Sequence, residues 1–120
     1  MTQQNRRKFV VTCPECETRT ETDTANEVVE FYRRHHSLTG HDIEYERASL
    51  DAFDGSSSNG DLGAVIEGLG EHYENGVPIG VITAAMGEHG YTVGETIAGI
   101  HELRMTGRLW EPRDDHLSAY

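Results

Sequence analysis

The sequence predicts an α+β fold in two small parts. The first is a strand, a second strand and a helix; the second is three helices closed by a C-terminal β-hairpin. Three observations point there. Two Thr-x-x-Glu capping boxes, Thr24–Glu27 and Thr92–Glu95, mark helix starts. From Leu62 the apolar residues recur at helical spacing. Between the parts, residues 51–60 read Asp-Ala-Phe-Asp-Gly-Ser-Ser-Ser-Asn-Gly, the composition of a flexible linker.

The elements follow in order. Phe9–Thr12 is apolar and β-branched, as a strand is. Pro14 suits a turn, so Cys13–Cys16 reads as a tight knuckle, and the Thr-rich stretch 18–22 returns as a second strand. Thr24 then caps a helix expected to reach about His36, with Val28, Val29, Phe31, Tyr32 and His35/His36 on its inner face. Gly40 breaks the chain, and Asp42–Glu46 alternates polar with apolar residues like an exposed strand. In the second part, Leu62, Val65, Ile66, Leu69 and Tyr73 form one helical stripe ending at Asn75–Gly76. Pro78 suits the first turn of the next helix, which runs to about Glu88 with Ile79, Ile82 and Met86 inward and Gly90 as cap. A third helix opens at Thr92, carries Val93, Ile97, Ile100 and Leu103, and stops at Gly107. Residues 108–112 and 116–120 read as two short strands around Arg113–Asp115, with Trp110 as a packing residue.

Composition limits what such a chain can be. At 120 residues and 36% hydrophobic content it has little core to spare, so a metal staple in one part would help. Two cysteines do not make a secreted disulfide framework. No apolar run is long enough to span a membrane, and the polar start leads into no signal-peptide core, so a cytoplasmic protein is expected. The net charge is −11, and Lys8 is the only lysine. That balance resembles the surfaces of proteins from salt-loving archaea. Molar salt shortens the Debye length to about 3 Å, so acidity there need not repel a polyanion over distance.

The chemistry-bearing pattern lies in residues 1–50. Cys13 and Cys16 are followed by His36 and His41. Two thiolates and two imidazoles fill a zinc tetrahedron, and four protein ligands close it, so the site would be structural. His35 is the alternative to His36. This stretch, about residues 9–46, resembles the two-Cys two-His zinc fingers, and His36-Ser-Leu-Thr-Gly-His41 is similar to small zinc-finger proteins of haloarchaea. The separation of Cys16 from the first histidine is longer than in the usual finger, so that family's DNA-reading positions are not carried over.

The three helices and hairpin of residues 61–120 follow the winged-helix order. Gly76–Ile82 and Ile100–Arg113, above all Leu103-Arg-Met-Thr-Gly-Arg-Leu-Trp-Glu-Pro112, resemble the C-terminal winged-helix domain of archaeal minichromosome maintenance helicases. That resemblance implies an interaction or regulatory appendage in replication or transcription. The helicase motor is not implied, because the chain has no phosphate-binding loop.

The fold expected is thus a ββα zinc-finger-like module (1–50), a linker (51–60) and a winged-helix module (61–120). The expected function is DNA binding, with transcription regulation as its setting. Arg33 and Arg34 from the first module would join Arg104, Arg108 and Arg113 from the third helix and wing, with Arg6–Lys8 as a basic arm. The rival is a protein-binding adaptor, favoured by the charge of −7 on residues 61–120. No small-molecule substrate and no catalysis are expected: His72, His89, His101 and His116 are scattered, and no nucleophile–base pattern is present.

Overall fold

The computed structural model describes residues 9–48 and 61–119. The expected linker, 51–60, and the basic arm at Arg6–Lys8 lie outside the described residues. The α+β class holds: a small sheet with one helix, then three helices and a hairpin.

The first sheet runs β2–β1–β3, antiparallel throughout. Its central strand β1 (Phe9–Cys13) pairs on one side with β2 (Thr18–Thr22) and on the other with β3 (Glu44–Ala48). Flanked on both edges, β1 is buried at Phe9, Val10, Val11 and Cys13, as its β-branched composition favours. Helix α1 (Ala25–Thr39) starts where expected. The Thr24 hydroxyl accepts from the Glu27 N–H at 3.3 Å, and the Glu27 carboxylate accepts from the Thr24 N–H at 3.0 Å. It runs three residues past the expected end at His36. Ser37, Leu38 and Thr39 contain no breaker, and the helix stops only at Gly40, whose φ of 76° puts it in the left-handed region that glycine tolerates.

Helix α2 (Leu62–Gly70) is capped by the Asp61 carboxylate, which accepts from the Ala64 N–H at 3.0 Å. It ends earlier than its apolar stripe. Gly68 and Gly70 weaken the last turn, and Tyr73 reaches the core from the turn beyond. Val77–Pro78 forms a short strand, β4, which the sequence reading did not separate from the helix that follows. α3 (Ile79–Gly87) and α4 (Val93–Met105) precede the hairpin β5 (Leu109–Arg113) and β6 (His116–Ala119). The second sheet is ordered β4–β6–β5. Trp110 lies in the hairpin strand β5, opposite Ser118. In β5 Leu109 is buried, so its neighbour points the other way, and Trp110 is 43% exposed.

Both parts share one core. Val11, Val28, Val29 and Ile43 from the first join Ile66, Ile82, Met86, Val93, Ile100 and Leu117 from the second. Helix α3 occupies its centre and is buried at every position from Ile79 to Met86. It packs on α1, α2 and α4. The approach of α1 is close at Gly80, where a methyl group would run into the carbonyl of Ala25.

Polar contacts across the two parts repeat the same docking. The Gly80 N–H donates to the Asn26 side-chain oxygen at 2.6 Å, and the Tyr45 hydroxyl meets Thr83 Oγ1 at 2.7 Å. Asp42 reaches the start of α4: it accepts from the Thr92 hydroxyl at 2.6 Å and from the Gly94 N–H at 2.8 Å. The Val93 N–H donates to the Ile43 carbonyl at 3.0 Å. Two orphan N–H groups of α4 are thus satisfied from the first part, in addition to its own capping box. Among the described residues, no helix is long and apolar enough to cross a membrane.

Candidate metal centre

The knuckle between β1 and β2 is set by strand pairing. Cys13 and Thr18 face each other in the ladder, so residues 14–17 must turn back at once. The turn closes with the Glu17 N–H donating to the Cys13 carbonyl at 2.9 Å, and Glu17 adopts φ 58°. This leaves Cys13 buried at 1% exposure and Cys16 on the surface, both free thiols on one side of the knuckle.

The histidines arrive from the end of α1. His35 lies on its last full turn, stacked on Phe31 at 5.3 Å between ring centroids. His41 follows the Gly40 cap, and its N–H donates to the Thr39 hydroxyl at 3.1 Å, which holds the loop in place. The donor atoms of Cys13, Cys16, His35 and His41 all lie within 4.8 Å of one another. His41 Nδ1 is 3.6 Å from Cys13 Sγ, and His35 Nε2 is 3.5 Å from Cys16 Sγ.

These spacings fit zinc. Bonds of about 2.3 Å to sulfur and about 2.0–2.1 Å to nitrogen give a tetrahedron whose sulfur–nitrogen edges are about 3.5 Å. The side chains therefore already stand near the corners such an ion requires, and the two-thiol, two-imidazole set is one that zinc favours. Bound there, zinc would act as a cross-link between the knuckle and the end of α1, with no position left for water.

The surroundings favour the ligating forms. The Thr18 hydroxyl, 3.2 Å away, donates to Cys16 Sγ. With the contacts to His41 and Cys13, it lowers the Cys16 thiol from its ordinary value of 9.0 to about 6. The thiolate is the form that binds metal. Glu15 Oε1 lies 3.4 Å from His41 Nε2, so the carboxylate orients the ring and leaves Nδ1 facing Cys13.

One ligand position is corrected. His36, the first choice from spacing, is not in the cluster; His35, the alternative, is. Consecutive helical residues point about 100° apart, so only one of the pair can face the knuckle. His36 instead stacks on Tyr32 at 5.2 Å, and its Nδ1 donates to the His41 carbonyl at 3.3 Å. It helps hold the loop that carries a ligand. Glu15 and Thr18 were missed by the sequence reading, since an acidic or hydroxyl side chain beside a knuckle carries no spacing signal of its own.

Of the five arginines singled out from sequence, Arg104 and Arg113 line one groove between α4 and β5. Arg33 forms a two-pronged ion pair with Asp115 in the hairpin turn, at 3.1 and 3.2 Å. Arg34 is exposed on α1. Arg104 at the end of α4 pairs with Glu111 at 3.0 Å. Arg108 and Arg113 are exposed before and at the end of β5.

Family models match both parts of the chain. The HVO_B0008 N-terminal model covers residues 10–47, which include all four donor residues, and the HVO_B0008 C-terminal domain model covers residues 67–117. No curated protein and no solved structure shows significant similarity to the chain. The two models are matched in chain order, so the chain is similar to the N-terminal domain of HVO_B0008 in its first part and to the C-terminal domain in its second.

Proposed function

We propose that this chain is a zinc-stabilised, non-catalytic adaptor of winged-helix type, which uses the face formed by α4 and β5 to engage a protein partner. One observation carries the reading. Met105 and Trp110, exposed to 73% and 43%, stand on that face together with Arg104 and Arg113. Exposed Trp, Met and Arg in one place are what protein interfaces enrich. The likeness of residues 103–112 to an appendage of replication helicases agrees with such a role.

DNA binding by a transcription regulator is the second reading. Its support is the winged-helix order and the placement of Arg104, Arg108 and Arg113, the three basic residues of the second part, within ten positions. Against it stands the start of α4, the end from which a recognition helix meets base edges. That end is covered by Asp42 and Ile43, and the exposed side of the helix carries Glu95 and Glu102.

The test is a salt series with zinc-loaded chain and labelled duplex DNA, beside Arg104→Ala/Arg108→Ala. The adaptor reading expects weak binding that the double substitution leaves unchanged, and capture of a protein by a photo-crosslinking residue at position 105. Salt-steep DNA binding that is lost in the double variant would overturn it in favour of the regulator.

A further inference from the structure

The two sulfurs of the knuckle differ in access. Cys13 is buried, whereas Cys16 stands on the surface. Only Pro14 and Glu15 separate them, and their sulfurs belong to a donor set whose atoms lie within 4.8 Å of one another. A disulfide can therefore close inside the knuckle. It would take both sulfurs from a metal at once and leave two imidazoles, half of the four ligands that a structural zinc needs.

The effect would reach beyond the cluster. The His41 ring stands 3.6 Å from Cys13 Sγ through Nδ1 and 3.4 Å from Glu15 Oε1 through Nε2. The two residues that follow it hold the start of α4. Asp42 accepts from the Thr92 hydroxyl and the Gly94 N–H, and the Ile43 carbonyl accepts from the Val93 N–H. With Cys13 in a disulfide and no metal to share, His41 loses the ligand bond that fixes this loop at its cluster end.

We propose that Cys13 and Cys16 form a peroxide-sensitive dithiol whose oxidation frees the metal and loosens the hold of residues 41–43 on the start of α4. This rests on the zinc part of the proposed function and is independent of which partner the chain engages.

The chemistry balances with hydrogen peroxide as the oxidant. Peroxide meets the exposed Cys16 thiolate first. An S–O bond forms, the O–O bond breaks, and the departing hydroxide takes up a proton as water. The Cys13 thiolate then attacks the Cys16 sulfenic acid. An S–S bond forms, the S–O bond breaks, and the second hydroxide takes up a proton as water. The two thiolates lose two electrons, and one peroxide is reduced to two waters.

The test treats the zinc-loaded full chain with hydrogen peroxide. Zinc released to a chromogenic chelator, the Cys13–Cys16 disulfide by peptide mass, and amide exchange at Val93 and Gly94 are followed together. Met105, 73% exposed, records peroxide exposure through its sulfoxide. The expected result is zinc release in step with the disulfide, ahead of Met105 oxidation. Exchange at Val93 and Gly94 should quicken by about tenfold, and dithiothreitol with added zinc should reverse both changes. Complete Met105 oxidation with zinc still bound would overturn the proposal. A disulfide between two chains, or unchanged exchange at Val93 and Gly94, would do the same. Zinc retained against peroxide leaves the metal reading standing, whereas a chain that takes up no zinc at the outset sinks both.

Discussion

The two parts of this molecule hold themselves together in different ways. Helix α1 buries only Ala25, Val28 and Val29, whereas α3 buries eight residues in succession. The first part has a three-stranded sheet and one amphipathic helix, too little apolar surface to stand easily alone at this size. It gathers four donor residues that could hold a metal ion at one end and docks against α3 and α4 at the other. The second part is built around α3. The contrast teaches that the metal site and the docking surface share one short loop: His41 belongs to the cluster, Asp42 caps α4, and Ile43 is fully buried in the common core.

Removing the metal should separate the two parts most sharply. Structural zinc in finger peptides contributes apparent binding energies of about 10–16 kcal/mol, and that energy is folding energy. One zinc per chain is expected by mass spectrometry, lost in Cys13→Ser/Cys16→Ser. Hydrogen exchange should then quicken across residues 9–48 and at the start of α4, while α3 keeps most of its protection. Equal loss everywhere would show that the parts fold as one unit. By the same measure His35→Ala should abolish binding and His36→Ala should only weaken it.

Gly80→Ala tests the docking itself. The added methyl meets the backbone of Ala25 rather than a side chain that could swing away, so a cost of about 2–3 kcal/mol in denaturant unfolding is expected. A smaller effect would mean that α1 and α3 can slide apart cheaply.

Tyr45→Phe removes the 2.7 Å bond to Thr83 across the same boundary and should cost about 1 kcal/mol. It should also change the response to alkali. Burial pushes the Tyr45 phenol well above its ordinary value of 10.0. The folded state therefore resists ionisation that the unfolded state allows. That contribution is fully present below about pH 10 and is lost as the pH rises. The Phe variant should show a flatter decline above that pH in thermal melts.

Arg33→Ala should have the smallest effect. Its pair with Asp115 lies at side-chain exposures of 49% and 30%, where salt and water screen it, so about 0.5 kcal/mol is expected. A much larger loss would show that the hairpin turn depends on α1 for its position.

Much of this was legible beforehand. The two capping boxes opened α1 and α4 where expected, because a cap involves residues three apart and needs no tertiary partner. Gly40 and Gly107 ended helices for the same local reason. Cys13, Cys16 and His41 were found because a knuckle and a histidine past a helix end are patterns of types and spacings. His35 against His36 was not decidable: both carry the same ligand atoms, and the choice turns on where a helix faces after it has packed. Trp110 was expected to pack in the core or the hairpin; it stands in the hairpin strand β5, one step from buried Leu109, and is 43% exposed.

What the sequence determined by itself was therefore local: the order of elements, their caps and the residue types of a candidate metal cluster. These follow from contacts a few positions apart, which every chain with those residues makes. What only the tertiary structure decided was which groups meet across long separations. Asp42 finds Gly94 at 52 positions' distance, Asn26 finds Gly80 at 54, and Arg33 finds Asp115 at 82. No periodicity encodes such pairs, because they form only after α3 has buried both of its sides and brought the two parts into contact.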